Sequence, residues 1–98
     1  MGHSLKAATF LIESRIADAT RGDTNAYFDL GMAYSSGGGG IAVDLVEAHK
    51  WFNLAALGGS LRGQECRAEI AEDMTAREIV NAQKAARAWL GMAMRQAA

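Results

Sequence analysis

The sequence predicts an all-α protein, and three observations lead there. The 98 residues include 20 alanines and no proline, a composition that loses little side-chain entropy in helices. β-Branched residues, which a sheet would need, are few. Apolar residues recur three or four positions apart in five successive stretches, each bounded by a residue able to cap or break a helix. With 50% hydrophobic residues, residues 1–98 read as one domain with a modest core.

Ser4 opens the first element, a capping helix over residues 4–21 with Leu5, Ala8, Ile12, Ile16 and Ala19 on one face; Arg21, Gly22 and Asp23 stop it. Asp23 is a good N-cap for a second helix with Ala26, Leu30, Ala33 and Tyr34 on its apolar side. The four glycines of residues 37–40 make its continuation too costly in backbone entropy. Asp44 and Glu47 have the spacing of a capping box, with Val43 and Ala48 placed as the apolar staple around it. The third helix they open carries Ala48, Trp51, Phe52 and Ala55 on one face and ends at Gly58 and Gly59, so Trp51 is expected to be buried between helices two and three. Ser60 starts a fourth helix reaching about Asp73, with Ala68, Ile70 and Ala71 as its buried candidates. Thr75 and Glu78 repeat the capping box and Met74 and Ile79 the staple. Ile79, Ala82, Ala86, Trp89 and Ala93 then form the stripe of a long fifth helix.

The breaks recur. Gly22-Asp23 and Gly59-Ser60 lie 37 positions apart, inside the range of stacked helical repeats. Within that unit Ala26, Leu30, Gly31, Tyr34, Gly37, Gly39, Asp44, Ala48, Trp51, Ala55, Ala56 and Gly59 closely resemble the signature of the Sel-one-like repeat, a relative of the tetratricopeptide repeat. The resemblance covers one whole repeat, residues 23–59. It implies antiparallel helix pairs in a short right-handed α/α solenoid. Gly31, Ala48, Ala55 and Ala56 would let two helices approach closely, while Leu30, Tyr34, Trp51 and Phe52 fill the space between them.

The departures matter too. The glycine loop is one residue longer than the family's usual pattern, with an extra glycine between Gly39 and Ile41. Residues 60–96 are a degenerate second repeat: Gly63 stands at the position of Ala26, Arg67 at that of Leu30 and Ala68 at that of Gly31, and the short Asp73-Met74-Thr75 junction replaces the glycine loop. The first and fifth helices are placed to cap the two ends.

Charge narrows the function. Ten basic against eleven acidic residues give a net charge of -1, and with the basic residues scattered along the sequence no nucleic-acid footprint is expected. One cysteine makes neither an internal disulfide nor a thiolate zinc site and fits a reducing compartment. No stretch is apolar enough to insert into a membrane, and residues 1–98 carry no signal-peptide pattern, so a soluble, cytoplasmic protein is the expectation.

Candidate chemistry is thin. Residues 37–40 have the glycines of a phosphate loop, but no Gly-Lys-Ser/Thr follows and Asp44 stands where the anion would go, which favours a turn inside the repeat. His49 and His3 do not have metal-ligand spacing, Glu47 belongs to the cap, and His49 reads as a partly exposed structural histidine. Cys66 sits among as much acid as base with no histidine beside it, the setting of an unreactive thiol. β-Lactam binding, linked to some cysteine-rich relatives, is not carried over because their paired cysteines have no counterpart. Tyr34, Trp51, Phe52 and Trp89 read as core aromatics. Glu65, Glu69, Glu72 and Asp73 read as a solvated face rather than an acid/base pair or calcium site.

The resemblance therefore implies a non-catalytic scaffold that binds a protein or peptide, with no cofactor and no metal. The expected groove joins Asn25, Asp29, Met32 and Ser36 of the second helix to Arg62, Cys66, Glu69 and Asp73 of the fourth. It leans acidic and would take an extended peptide with basic or polar side chains. Two other classes stay open: a self-associating structural module, with a homodimer formed through Met92 and Met94, and a small thiol-dependent hydrolase using Cys66.

Overall fold

Capping side chains set four helix starts. The computed structural model describes residues 2–37 and 40–97, with side chains for residues 7, 9–37 and 40–95. Among the described residues there are five α-helices and no strand: α1 Gly2–Thr20, α2 Thr24–Ser36, α3 Leu45–Leu57, α4 Leu61–Ala71 and α5 Ala76–Ala97. Asp23 Oδ1 accepts from the backbone N–H of Asn25 at 2.9 Å and of Ala26 at 3.4 Å, and Ser60 Oγ accepts from Gly63 N–H at 2.9 Å. At α5 the capping box closes in both directions, with Glu78 N–H donating to Thr75 Oγ1 at 3.1 Å and Thr75 N–H to Glu78 Oε1 at 2.8 Å.

The box at Asp44 is only half made. Asp44 Oδ1 accepts from Glu47 N–H at 3.1 Å, but the Asp44 N–H donates across to the Tyr34 carbonyl at 2.9 Å. Glu47, expected to complete the cap, instead pairs with Lys50 at 3.2 Å. Val43, expected in the staple, is 57% exposed and lies with Cγ2 over Gly37. Two boundaries also shift. The first helix begins at Gly2 and passes through Ser4, because serine inside a helix costs little more than an average residue. α4 stops at Ala71, short of Asp73, because Glu72, Asp73 and Met74 donate to carbonyls three residues back and tighten the chain into a turn.

Packing centres on α3, which lies against α2, α4 and α5, while α1 packs on α2. α2 and α3 run antiparallel: Tyr34 meets Asp44 at one end and Thr24 lies against Gly58 at the other. The seam between them is aromatic. Phe52, 1% exposed, has its ring 5.7 Å from that of Phe28, and a Cβ on Gly31 would collide with the Phe52 ring. Trp51, 2% exposed, stacks on Tyr27 of α2 at 6.1 Å and meets Trp89 of α5 edge-on at 4.9 Å. α4 approaches α3 at Gly63, where a Cβ would lie 2.9 Å from Ala55 Cβ and 3.2 Å from the Phe52 carbonyl.

The expected inward faces hold for Ala19, Ala26, Leu30, Ala48, Trp51, Phe52, Ala55, Ala82 and Ala86, all buried, with Ile12, Ile16, Ala33, Tyr34, Ala56, Ile79, Trp89 and Ala93 half-buried. The side chains of Leu5 and Ala8, and Gly39 of the repeat signature, lie outside the described residues. On α4 the expectation holds in part: Ile70 and Ala71 are half-buried, but Ala68 is exposed and the fully buried residue is Gly63. A helix with so little bulk sinks toward α3 at its smallest residue. α4 and α5 do not pack closely along their lengths, so they do not repeat the α2–α3 pairing. No described helix is long and apolar enough to cross a membrane.

Two glycine substitutions separate packing from helix propensity. Gly31→Ala should lower stability by about 1–2 kcal/mol, since the overpacking penalty exceeds the gain in propensity. Gly91→Ala, whose Cβ would meet only Arg95 Nη1 at 3.8 Å, should raise it by about 0.5–1 kcal/mol. Denaturant melts of the two variants check this; a stabilised Gly31→Ala would contradict the seam.

Candidate interaction surface

The α2 stripe follows from its helical period. With Tyr27, Leu30, Gly31 and Tyr34 turned toward the core, Asn25, Asp29, Met32 and Ser36 are left outward, and all four are exposed. Asp29 reaches sideways to α1, its Oδ2 3.3 Å from Arg15 Nε with both side chains about half exposed. Such a pair adds little stability. On α4, Gly63 and Arg67 turn toward α3 and leave Arg62 and Glu69 exposed, with Cys66 half-buried. Asp73 is exposed but belongs to the junction after α4 rather than to the helix.

The two stripes meet through a residue the sequence reading passed over. The Arg62 guanidinium carbon lies 5.0 Å from the centre of the Phe28 ring, a cation–π contact that joins α4 to α2. Phe28 in turn rests on Phe52. Phe28 lies one helical position from Asp29; the period identified the narrow apolar stripe and missed its flank. Tyr27, also missed, stacks on Trp51.

Cys66 does not have the electrostatics of a nucleophile. Burial pushes its thiol pKa up, the carboxylate of Glu69 and then that of Glu65 push the same way, and Arg62 opposes them. These influences disfavour the thiolate, the form that nucleophilic chemistry requires. Among the described residues no three His, Cys, Asp or Glu side chains gather into a group able to hold a metal.

His49 is corrected most clearly. It was expected to be partly exposed, yet it is 4% exposed and its Nδ1 is buried without a hydrogen-bond partner. One turn along α3, Asn53 Oδ1 accepts from Arg67 Nη1 of α4. The Arg67 side chain, at the register position of Leu30, thus brings a polar link where an apolar seam would be, and α4 closes over His49's side of α3. Desolvation lowers the His49 pKa, and the Arg67 charge lowers it further. Tyr34 moves the other way: burial raises its pKa, followed by the carboxylates of Glu47 and Asp44.

A second feature lies between α1 and α5, a cavity of about 110 Å³ lined by Ile16, Thr20, Trp89, Met92 and Ala93. Met92 is 45% exposed and Met94 72% exposed. Above the cavity's inner wall, Lys50 Nζ sits 4.2 Å from the Trp51 ring centre and 5.6 Å from that of Trp89. Its ammonium is held by two indoles and by Glu47.

The His49 environment has a consequence for pH. The folded state binds the imidazole proton less readily than the unfolded chain, whose histidine titrates near about 6.5. This contribution to stability is complete above that value and is lost as pH falls through it toward the lower folded value. The melting temperature should therefore drop between pH 7.5 and pH 5.5, and His49→Gln should flatten that part of the profile. An unchanged profile in His49→Gln would place the titrating group elsewhere.

No protein-family model, curated protein or solved structure matches the chain.

Proposed function

We propose that this chain is a non-catalytic interaction module of the Sel-one-like kind, a short helix-pair solenoid with α1 and α5 as its end caps, that binds an extended peptide across α2 and α4. The observation that carries this reading is the contact of Arg62 with Phe28. It sets the exposed stripe of α4 beside that of α2, and together they offer Asp29, Glu69 and Asp73 with Asn25, Met32 and Ser36. The repeat signature of residues 23–59 supports the same reading, since solenoids of this type stack their first helices side by side. The environment of Cys66 favours binding over thiol catalysis.

A surface that leans acidic selects a partner with basic or polar side chains, and its rim charges act on association rate and salt dependence more than on final affinity. The test is fluorescence anisotropy with labelled ten-residue peptides rich in lysine and serine, against matched peptides rich in glutamate and serine. The wild type should bind the basic set. Asp29→Arg with Glu69→Lys should weaken that binding by about tenfold at low salt, a pair of rim charges acting over short range, while the melt stays unchanged. Undiminished binding would move the site to the outer faces of α3 and α5.

A further inference from the structure

The basic residues look scattered along the sequence, but α5 collects four of them. Arg77, Lys84, Arg87 and Arg95 are all exposed, and their spacing places them on the side of the helix opposite the buried Ala82 and Ala86. The stripe runs over about 27 Å of helix at 1.5 Å per residue. None of the four is in an ion pair among the described residues. The one acid of α5, Glu78, is occupied by the Thr75 cap. A face of unpaired cations on a chain of net charge -1 leaves its complement elsewhere on the same molecule. That complement lies mainly on α4 and the turn after it, where Glu65, Glu69, Glu72 and Asp73 are exposed beside the exposed Arg62, and it is flanked on α2 by Asp29, which also pairs with Arg15 of α1. α2, α4 and α5 all pack on α3, and among the described residues no ion pair joins the cations of α5 to these acids.

We propose that the basic outer face of α5 docks onto the acidic-leaning α2/α4 surface of a second copy of this chain. This rests on the reading of α2/α4 as a binding surface and names an occupant for it. The contact is heterologous, head to tail, so an assembly of any length keeps one free basic face at one end and one free acidic face at the other. Charge complementarity selects the second copy over other polyanions. The only aromatic side chain of α5, Trp89, is turned inward against Trp51, so the outer face has no ring to anchor in a bilayer interface or to stack on a base.

The test is the weight-average mass by light scattering over a dilution series of the full chain. At an ionic strength where the screening length is about 30 Å the mass should rise with concentration, and where it is about 3 Å the chain should return to monomer. Lys84→Glu with Arg87→Glu should abolish association, as should Asp29→Arg with Glu69→Lys. The chain carrying all four substitutions returns to the wild-type net charge with the two signs exchanged, and its association should be restored. Melts of each variant report that it is folded. A wild type that stays monomeric at low salt overturns the proposal. So does association that survives high salt, or a folded four-substitution chain that stays monomeric. Co-sedimentation of wild type with phosphatidylserine vesicles, lost in Lys84→Glu with Arg87→Glu while the protein alone stays monomeric, assigns the face to a membrane and also overturns it. The basic-peptide assay distinguishes the two failures: peptide binding that depends on Asp29 and Glu69 in a monomeric wild type leaves the peptide reading standing and removes only the second copy.

Discussion

The ring of Phe52 occupies the space that any side chain at residue 31 would need, and the placement of the other helices depends on that. With Gly31 at the crossing, α2 and α3 come close enough for Phe28 to cover the outer edge of Phe52 while Tyr27 stacks on Trp51. The far side of Trp51 is then left open and is covered edge-on by Trp89, which draws α5 onto α3. On the remaining side, Gly63 lets α4 settle against Ala55 and the Phe52 carbonyl. A small domain has little apolar surface to bury, and here one helix presents three sides to its neighbours while large rings carry most of the contact.

The polar residues follow from this arrangement. Because α4 approaches α3 through a glycine and brings Arg67 rather than an aliphatic residue, the join is fastened by the hydrogen bond to Asn53, one turn from the buried His49. A buried neutral imidazole beside a guanidinium is tolerated since burial and the neighbouring charge both favour its uncharged form. The absence of a second aromatic seam also accounts for α5 leaving α4 and crossing to α3. What remains outward is mostly acidic on α4, where Arg62 is the exposed exception, and basic along α5.

Much of this was legible in the sequence where the causes are local. Asp23, Ser60 and Thr75 could be identified as caps because a side-chain acceptor and the first-turn amides are all that a cap requires. The buried faces of α2, α3 and α5 followed from the helical period. Features that depend on a partner helix were not legible. Glu47 has ideal capping-box spacing, but the amide it would have met is taken by Tyr34 of α2. His49 lies outside the apolar stripe of its own helix, yet it is buried once the helices pack. Ala68 and Ala71 are the natural buried candidates for α4, yet Gly63 is the point of approach. At the candidate surface Asn25, Asp29, Met32, Ser36, Arg62 and Glu69 are exposed and Cys66 is half-buried, whereas Phe28, which links the two stripes, lies just outside the narrow apolar face. The cations of α5 are seven, three and eight residues apart in the sequence, and only the helical period of that one element aligns them.

If the structure closes on α3, native-state hydrogen exchange resolved by residue should find the amides around Trp51, Phe52 and Leu54 the most protected in the chain. They should exchange only through global unfolding, with a free energy equal to that from denaturant melts, while α1 and the end of α5 open at lower cost. Exchange in α3 that is as fast as in α1, or that falls short of the global value while α5 reaches it, would contradict the account.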